Sequence, residues 1–103
     1  MTASYVLSLA AEADLRDIVR YTRKQWGDSQ ARSYMTKLKG CIESIAAGQG
    51  LFKDMATLHP ALRMVHCEHH YIFCLPRDDG PALVLAIFHE RMDLMTRLAE
   101  RLK

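Results

Sequence analysis

The chain has 103 residues, half of them apolar and a quarter charged. That balance supports one compact domain spanning residues 1–103 and excludes both a second core and a disordered chain. Fourteen Lys and Arg stand against twelve Asp and Glu, a formal charge of +2, which excludes a nucleic-acid coat protein or a polybasic membrane tail.

Ser4 to Leu9 reads as a short strand, with Tyr5, Leu7 and Leu9 on one side. From Ala10 the period becomes helical: Leu15, Ile18, Val19, Thr22 and Trp26 form one stripe, so Trp26 is expected as a buried anchor. Glu12, Asp14 and Asp17 at the start and Arg23 and Lys24 at the end complement the helix dipole. Gly27 can close this helix and Asp28 or Ser29 can cap the next, which predicts an antiparallel hairpin. The second helix places Ala31, Tyr34, Met35, Leu38, Cys41, Ile42 and Ile45 on one face and ends at Gly48-Gln49-Gly50.

Residues 51–61 lack a period and read as a surface connection with Leu51, Phe52, Met55 and Leu58 tucked against the core. Three strands follow over 62–67, 70–75 and 83–89, joined near Glu68-His69 and by the turn Pro76 to Pro81, most simply as a meander. From about Met92 a short amphipathic helix carries Leu94 or Met95, Leu98 and Leu102 on one face. The order β-α-α-β-β-β-α defines an α+β fold, a helical hairpin laid on a small, mostly antiparallel sheet.

Cys41, Cys67 and Cys74 are an odd set without Cys-x-x-Cys spacing, and no signal-peptide pattern opens the chain, so a reducing cytoplasm is expected. Cys67 and Cys74 are expected as small buried apolar residues. The apolar run 82–88 is far shorter than the roughly 20 residues a membrane span needs.

In this order and spacing the chain resembles the ParE branch of the RelE/ParE superfamily of toxins. The carriers are Ala13-Asp14-Leu15-Arg16-Asp17-Ile18 with Tyr21, Trp26-Gly27 followed by Gln30-Ala31 and Tyr34, and Pro60-Ala61-Leu62-Arg63. His70-Tyr71-Ile72-Phe73 and the ending Ile87 to Leu94 complete the set. The resemblance implies a non-enzymatic toxin of a type II toxin–antitoxin pair, acting on DNA gyrase so that cleaved DNA is trapped and replication blocked. It also implies a ParD-like antitoxin that wraps and silences the toxin in a hetero-oligomer, and no cofactor.

Other members of that superfamily are ribosome-dependent RNases, whose chemistry needs a base, an acid and cations for the phosphate. Arg63, His66, His70, His89, Glu90 and Arg91 supply the residue types, and the rival reading of an endoribonuclease would use Arg63, His89 and Arg91. Strand alternation opposes it, because His89 and Glu90 should not share a face without a bend. The same alternation separates His66 from Cys67, so no metal is expected despite the neighbouring His69, His70 and Glu68. His89-Glu90-Arg91 then reads as a strand-to-helix junction, with Glu90 near the helix N-terminus and Arg91 paired to an acid.

Between Arg16 and Lys39 seven Lys and Arg face two Asp, a local +5. This bias suits an acidic partner better than direct sequence-specific nucleic-acid binding. The candidates for gyrase or antitoxin contact are therefore Arg23, Lys24 and Trp26 at the hairpin corner, Arg63, and His89, Glu90, Arg91 and Met92 at the junction. Leu94, Met95, Leu98 and Leu102 either pack on the sheet or line a groove for the antitoxin.

Overall fold

The structure, a computed structural model, describes residues 5–102. Strand β1 (Tyr5–Leu7) leads into helices α1 (Leu9–Trp26) and α2 (Asp28–Ala46). A two-residue strand β2 (Lys53–Asp54), then β3 (Arg63–Cys67), β4 (His70–Leu75), β5 (Ala82–His89) and α3 (Leu94–Arg101) complete the order. The five strands lie in the order β1-β5-β4-β3-β2, antiparallel except for the parallel pair β1 and β5. The expected α+β layering and the meander of β3, β4 and β5 are both present, and β2 is an addition inside the stretch read as a plain connection. That connection is also less anchored than expected: Leu51 and Leu58 are exposed, and only Phe52 and Met55 reach the core.

Of the strand expected over Ser4 to Leu9, Ser4 lies outside the described residues, and the C-terminal end comes two residues earlier than the alternation suggested. Ser8 leaves the strand and caps α1, its Oγ accepting the Ala11 N–H at 3.0 Å. Leu9 therefore begins a helix and is exposed rather than lying beside Tyr5 and Leu7. At the corner both helices share Gly27, whose φ of 92° suits glycine, and no side chain caps α2 there.

The sheet has a packed layer on each face. Toward the hairpin lie Cys67, Ile72, Cys74, Val84 and Ile87 against Ile18, Leu38, Ile42 and Ile45. The opposite face carries Leu62, Phe73, Ala86 and Phe88 under Leu98 of α3. Of the two alternatives for the last helix the structure adopts packing on the sheet, with Leu98 fully buried, Leu94 and Leu102 partly so, and Met95 exposed.

Helix α2 and β3 are joined covalently by a Cys41–Cys67 disulfide, so Cys67 is buried but is not the free thiol expected of it; Cys74 is both buried and free. Trp26 also departs from its stripe. It stands at the last position of α1 with 68% of its surface exposed, because the chain turns at Gly27 before any sheet residue reaches it. Among the described residues no helix is long and apolar enough to cross a membrane.

Candidate functional site

Strand β1 is an edge strand, and between it and α1 runs an open groove. Leu7, Leu15 and Val19 supply its apolar floor; Arg16, Arg20, Arg23 and Lys24 rise around it, with Glu12 at one end. Two of these cations are engaged by neighbours, Arg20 with Asp17 at 3.4 Å and Arg23 with Asp28 at 2.9 Å. All four partners are more than half exposed, so water screens these pairs and an incoming carboxylate can compete for the cations. Arg23 and Lys24 thus belong to a lined groove, and Trp26 stands beyond them at the corner.

The second cluster lies at the far end of the sheet. A two-residue turn, Glu68-His69, connects Cys67 to His70, and Glu68 takes φ = 56°. Tyr34 of α2 pins this turn: its hydroxyl accepts the His69 N–H at 3.0 Å and lies 2.7 Å from His70 Nδ1. Since the hydroxyl is already an acceptor, its own proton is free for a neutral His70 ring nitrogen. His70 is 9% exposed and meets the His89 ring edge-on at 5.2 Å. Burial, with His89 and His69 adding to it, pushes its pKa down to about 4, while Glu90 and Asp14 oppose the shift.

Just past β5 the chain bends, and Glu90 turns to the imidazoles rather than to the start of α3. Its carboxylate is 2.9 Å from His69 Nδ1 and 3.3 Å from His66 Nε2, and His66 stacks on Tyr71 at 4.5 Å. The hydrogen bond from His69 holds the Glu90 carboxyl below its usual range, with burial opposing. The N-cap of α3 is Asp93, accepting from Thr96 N–H. Arg91 is exposed, with its N–H on His89 Nδ1 at 3.1 Å, and Met92 is 43% exposed beside it. Among the described residues no group of three or more His, Cys, Asp or Glu is arranged to hold a metal ion.

This arrangement predicts acid lability. An unfolded histidine titrates near 6.5, so between that value and about 4 the unfolded chain takes up the proton that folded His70 refuses. His70 therefore contributes stability that is fully present above roughly pH 6.5 and is lost as pH falls toward about 4, on the order of 3 kcal/mol in all. Glu90, with its pKa lowered, acts in the same direction further down the scale. Urea midpoints at pH 7.5, 5.5 and 4.5 should fall in that order. The fall should flatten in His70→Asn, and an unchanged slope in that variant would assign the lability elsewhere.

Arg63 is far from this cluster. It sits at the start of β3, where its Nη1 donates to the Ile45 carbonyl at 3.1 Å, its guanidinium covers the Phe52 ring at 4.8 Å, and it lies against Gly48. There it closes the C-terminus of α2. His89 stands level, through His70, with Cys67 at the other end of β3. The two are thus four residues apart along the strands, about 13 Å at ~3.3 Å per residue, and two strands apart laterally. The fold does not bring Arg63, His89 and Arg91 to one place.

Two important residues drew no attention as a pair in the sequence. Asp14 accepts both guanidinium nitrogens of Arg101, at 2.7 and 3.0 Å, and the Ile87 N–H at 3.0 Å. Arg101 also donates to the Leu85 carbonyl at 2.9 Å and lies over Phe88 at 4.9 Å. Asp14 is therefore not a dipole partner of its own helix but a plug for the edge of β5. The available signal was its position: it lies three residues after Ala11 and four before Ile18, on the buried face, where a carboxylate requires a partner.

Comparison with known proteins agrees with this fold and its motifs. The family described as ParE toxin of type II toxin-antitoxin system, parDE, matches residues 5–94. The chain is 66% identical over 103 residues to Toxin ParE of Escherichia coli, covering all of this chain and 99% of that one. It is 31% identical over 94 residues to Toxin ParE1 of Mycobacterium tuberculosis, covering 91% of this chain and 96% of the relative. A solved structure titled chromosomal ParDE TA system from P. aeruginosa superposes with a TM-score of 0.67 at 18% identity, over 84% of this chain and 95% of the other. The fold is thus that of small toxins of type II toxin–antitoxin systems. Within that class, the chain belongs to the ParE toxin family.

Proposed function

We propose that this protein is a toxin that binds DNA gyrase, so that cleaved DNA is trapped and replication stops, and that a ParD-like antitoxin silences it. The reading is supported by membership of the ParE family together with the separation of Arg63 from His89 and Arg91. A phosphodiester-cleaving set must converge on one phosphate, and a cation committed to the end of α2 cannot also serve a base at the end of β5. The protein acts as an inhibitor through its surfaces, without turnover of its own.

Separate surfaces are available for the two partners. The apolar, basic groove between β1 and α1 fits an acidic amphipathic segment of the antitoxin, and Met95 on the outer side of α3 extends the contact on another face. The corner at Trp26 and the junction at His89, Glu90, Arg91 and Met92 are the surfaces for gyrase. A tryptophan that is 68% exposed on a rigid corner is a typical binding anchor. Its exposure also makes it a clean probe, since Trp26→Ala should alter stability by no more than about 0.5 kcal/mol.

The experiment adds the purified protein to gyrase with plasmid DNA and, separately, to a programmed translation reaction, scoring cleaved DNA complexes and cut messenger RNA. Trapped DNA with intact messenger, reduced at least tenfold by Trp26→Ala, is the expected result. Cut messenger with normal supercoiling would overturn the reading in favour of an endoribonuclease.

A further inference from the structure

Cys41 and Cys67 have different surroundings on the two sides of their bond. Cys67, on the hairpin face of β3, is 4% exposed. Cys41, on α2, is partly exposed, and both cysteines line one open hollow whose walls include Gly40, Gly50 and Lys37. Beside Cys41 the wall is open at Gly40, where nothing stands within 4 Å of the place a side chain would begin, and Ser44, Gln49 and Leu51 also line the hollow. Lys37, one helical turn before Cys41, lines the same hollow and pairs with Glu68 across it at 3.8 Å. A small anionic thiol or disulfide entering the hollow therefore meets Cys41 as the more exposed of the two bonded residues.

We propose that this pair is a redox-operated staple between α2 and β3, opened and closed by exchange with a low-molecular-weight thiol of the glutathione class, and that Cys41 is the sulfur at which exchange occurs. In opening, the small thiolate attacks Cys41 Sγ, the protein S–S bond breaks, and Cys67 leaves as a thiolate that takes a proton from water. The Lys37 carbonyl, 3.6 Å from Cys67 Sγ, is in place to accept that new S–H. A second small thiolate then attacks the small molecule's sulfur in the mixed disulfide, frees Cys41, and departs as the oxidised dimer. Closing is the reverse: Cys41 thiolate attacks the oxidised dimer and releases one thiol, then Cys67 thiolate attacks Cys41 and releases the second. The reducing compartment expected from the sequence holds the staple open, and oxidation closes it.

The consequence lies in the chain between the two sulfurs. They are 26 residues apart and enclose the end of α2, the connection with β2, and β3. Closing that loop restricts the unfolded chain far more than the folded one, in which α2 already lies on β3. The oxidised protein should melt about 10 °C or more above the reduced one.

The test equilibrates the unsubstituted protein in glutathione buffers of graded ratio, quenches with acid, unfolds it, alkylates it and weighs it intact. Of the three cysteines, the expected oxidised form takes one label, on Cys74, and the reduced form takes three. Melting in the two end buffers should differ as stated. Under oxidised glutathione, Cys67→Ala should accumulate a glutathione adduct at Cys41, whereas Cys41→Ala should gain none at Cys67. Three labels at every ratio, equal melting of the two forms, or an adduct on Cys67 in the folded Cys41→Ala protein would each overturn the proposal.

Discussion

Asp14→Ala should lower the unfolding free energy by about 2–4 kcal/mol and the melting temperature by roughly 10–20 °C. The size follows from what the carboxylate holds. Strand β1 covers β5 only from Ala82 to Val84. Beyond that point the β4–β5 register shifts, Phe73 pairing with Ala86 and Cys74 with Val84, so Leu85 bulges. The bulge leaves the Leu85 carbonyl and the Ile87 N–H without a strand partner on the β1 side, and a buried backbone group without a partner costs about 1–3 kcal/mol. Asp14 takes the N–H; Arg101 and Ser8 supply hydrogens to the carbonyl. Removing the carboxylate strands the Ile87 N–H and leaves the Arg101 guanidinium, whose side chain is only 24% exposed, facing no anion.

The partial exposure of the pair keeps this figure below the 3–5 kcal/mol seen when one member of a fully buried pair is deleted. Arg101→Ala should cost a similar amount, with the loss of its cover over Phe88 included. The double variant should cost less than the two single losses together, by about 0.5–3 kcal/mol, because the groups act as one network. Urea unfolding of the four proteins measures this directly. A single-variant loss below 1 kcal/mol, or strict additivity, would show that water replaces the plug.

Periodicity made most of the scaffold legible. The stripe of α2 marks the buried face of the hairpin, and the apolar runs at 70–75 and 83–89, bounded by turn residues, mark the central strands. What periodicity could not deliver was everything decided by contact between distant elements. Trp26 satisfies the helical stripe of α1, yet a stripe names a direction, and at the last helical position the sheet no longer lies in that direction. Glu90 follows a strand and precedes a helix, so a helix-end role was the local expectation, whereas the turn at His69 happens to present an imidazole 2.9 Å away.

The same limit applied to charges. Asp14 and Arg101 are separated by 87 positions, and each taken alone looks like an ordinary helix-end charge. Arg63 looked like a phosphate ligand because cations on sheets often are, and its real engagement with the Ile45 carbonyl depends on where α2 stops. Cys41 and Cys67 show no spacing that marks a bridge, and only the packing of α2 on β3 brings their Cα atoms within 6.3 Å.

Leu98→Ala should destabilise the protein by about 2–5 kcal/mol, the range for emptying a packed leucine site. Leu98 is fully buried against Leu62, Phe73, Ala86 and Phe88, on the sheet face opposite the hairpin. Phe73, Ala86 and Phe88 belong to strands held in place by the sheet, so the site cannot collapse around the smaller side chain and the cavity persists. Met95, 49% exposed on the same helix, should tolerate alanine within about 0.5 kcal/mol. The contrast determines how partner binding to α3 must be read. Weakened antitoxin binding in Leu98→Ala would follow from loss of the helix that presents the surface, whereas weakened binding in a fully folded Met95→Ala would mark direct contact. Measuring both variants for urea midpoint and for antitoxin affinity separates the two effects. A Leu98→Ala protein as stable as its parent would mean that α3 detaches from the sheet at little cost, and Leu94, Leu98 and Leu102 would then be open to a partner.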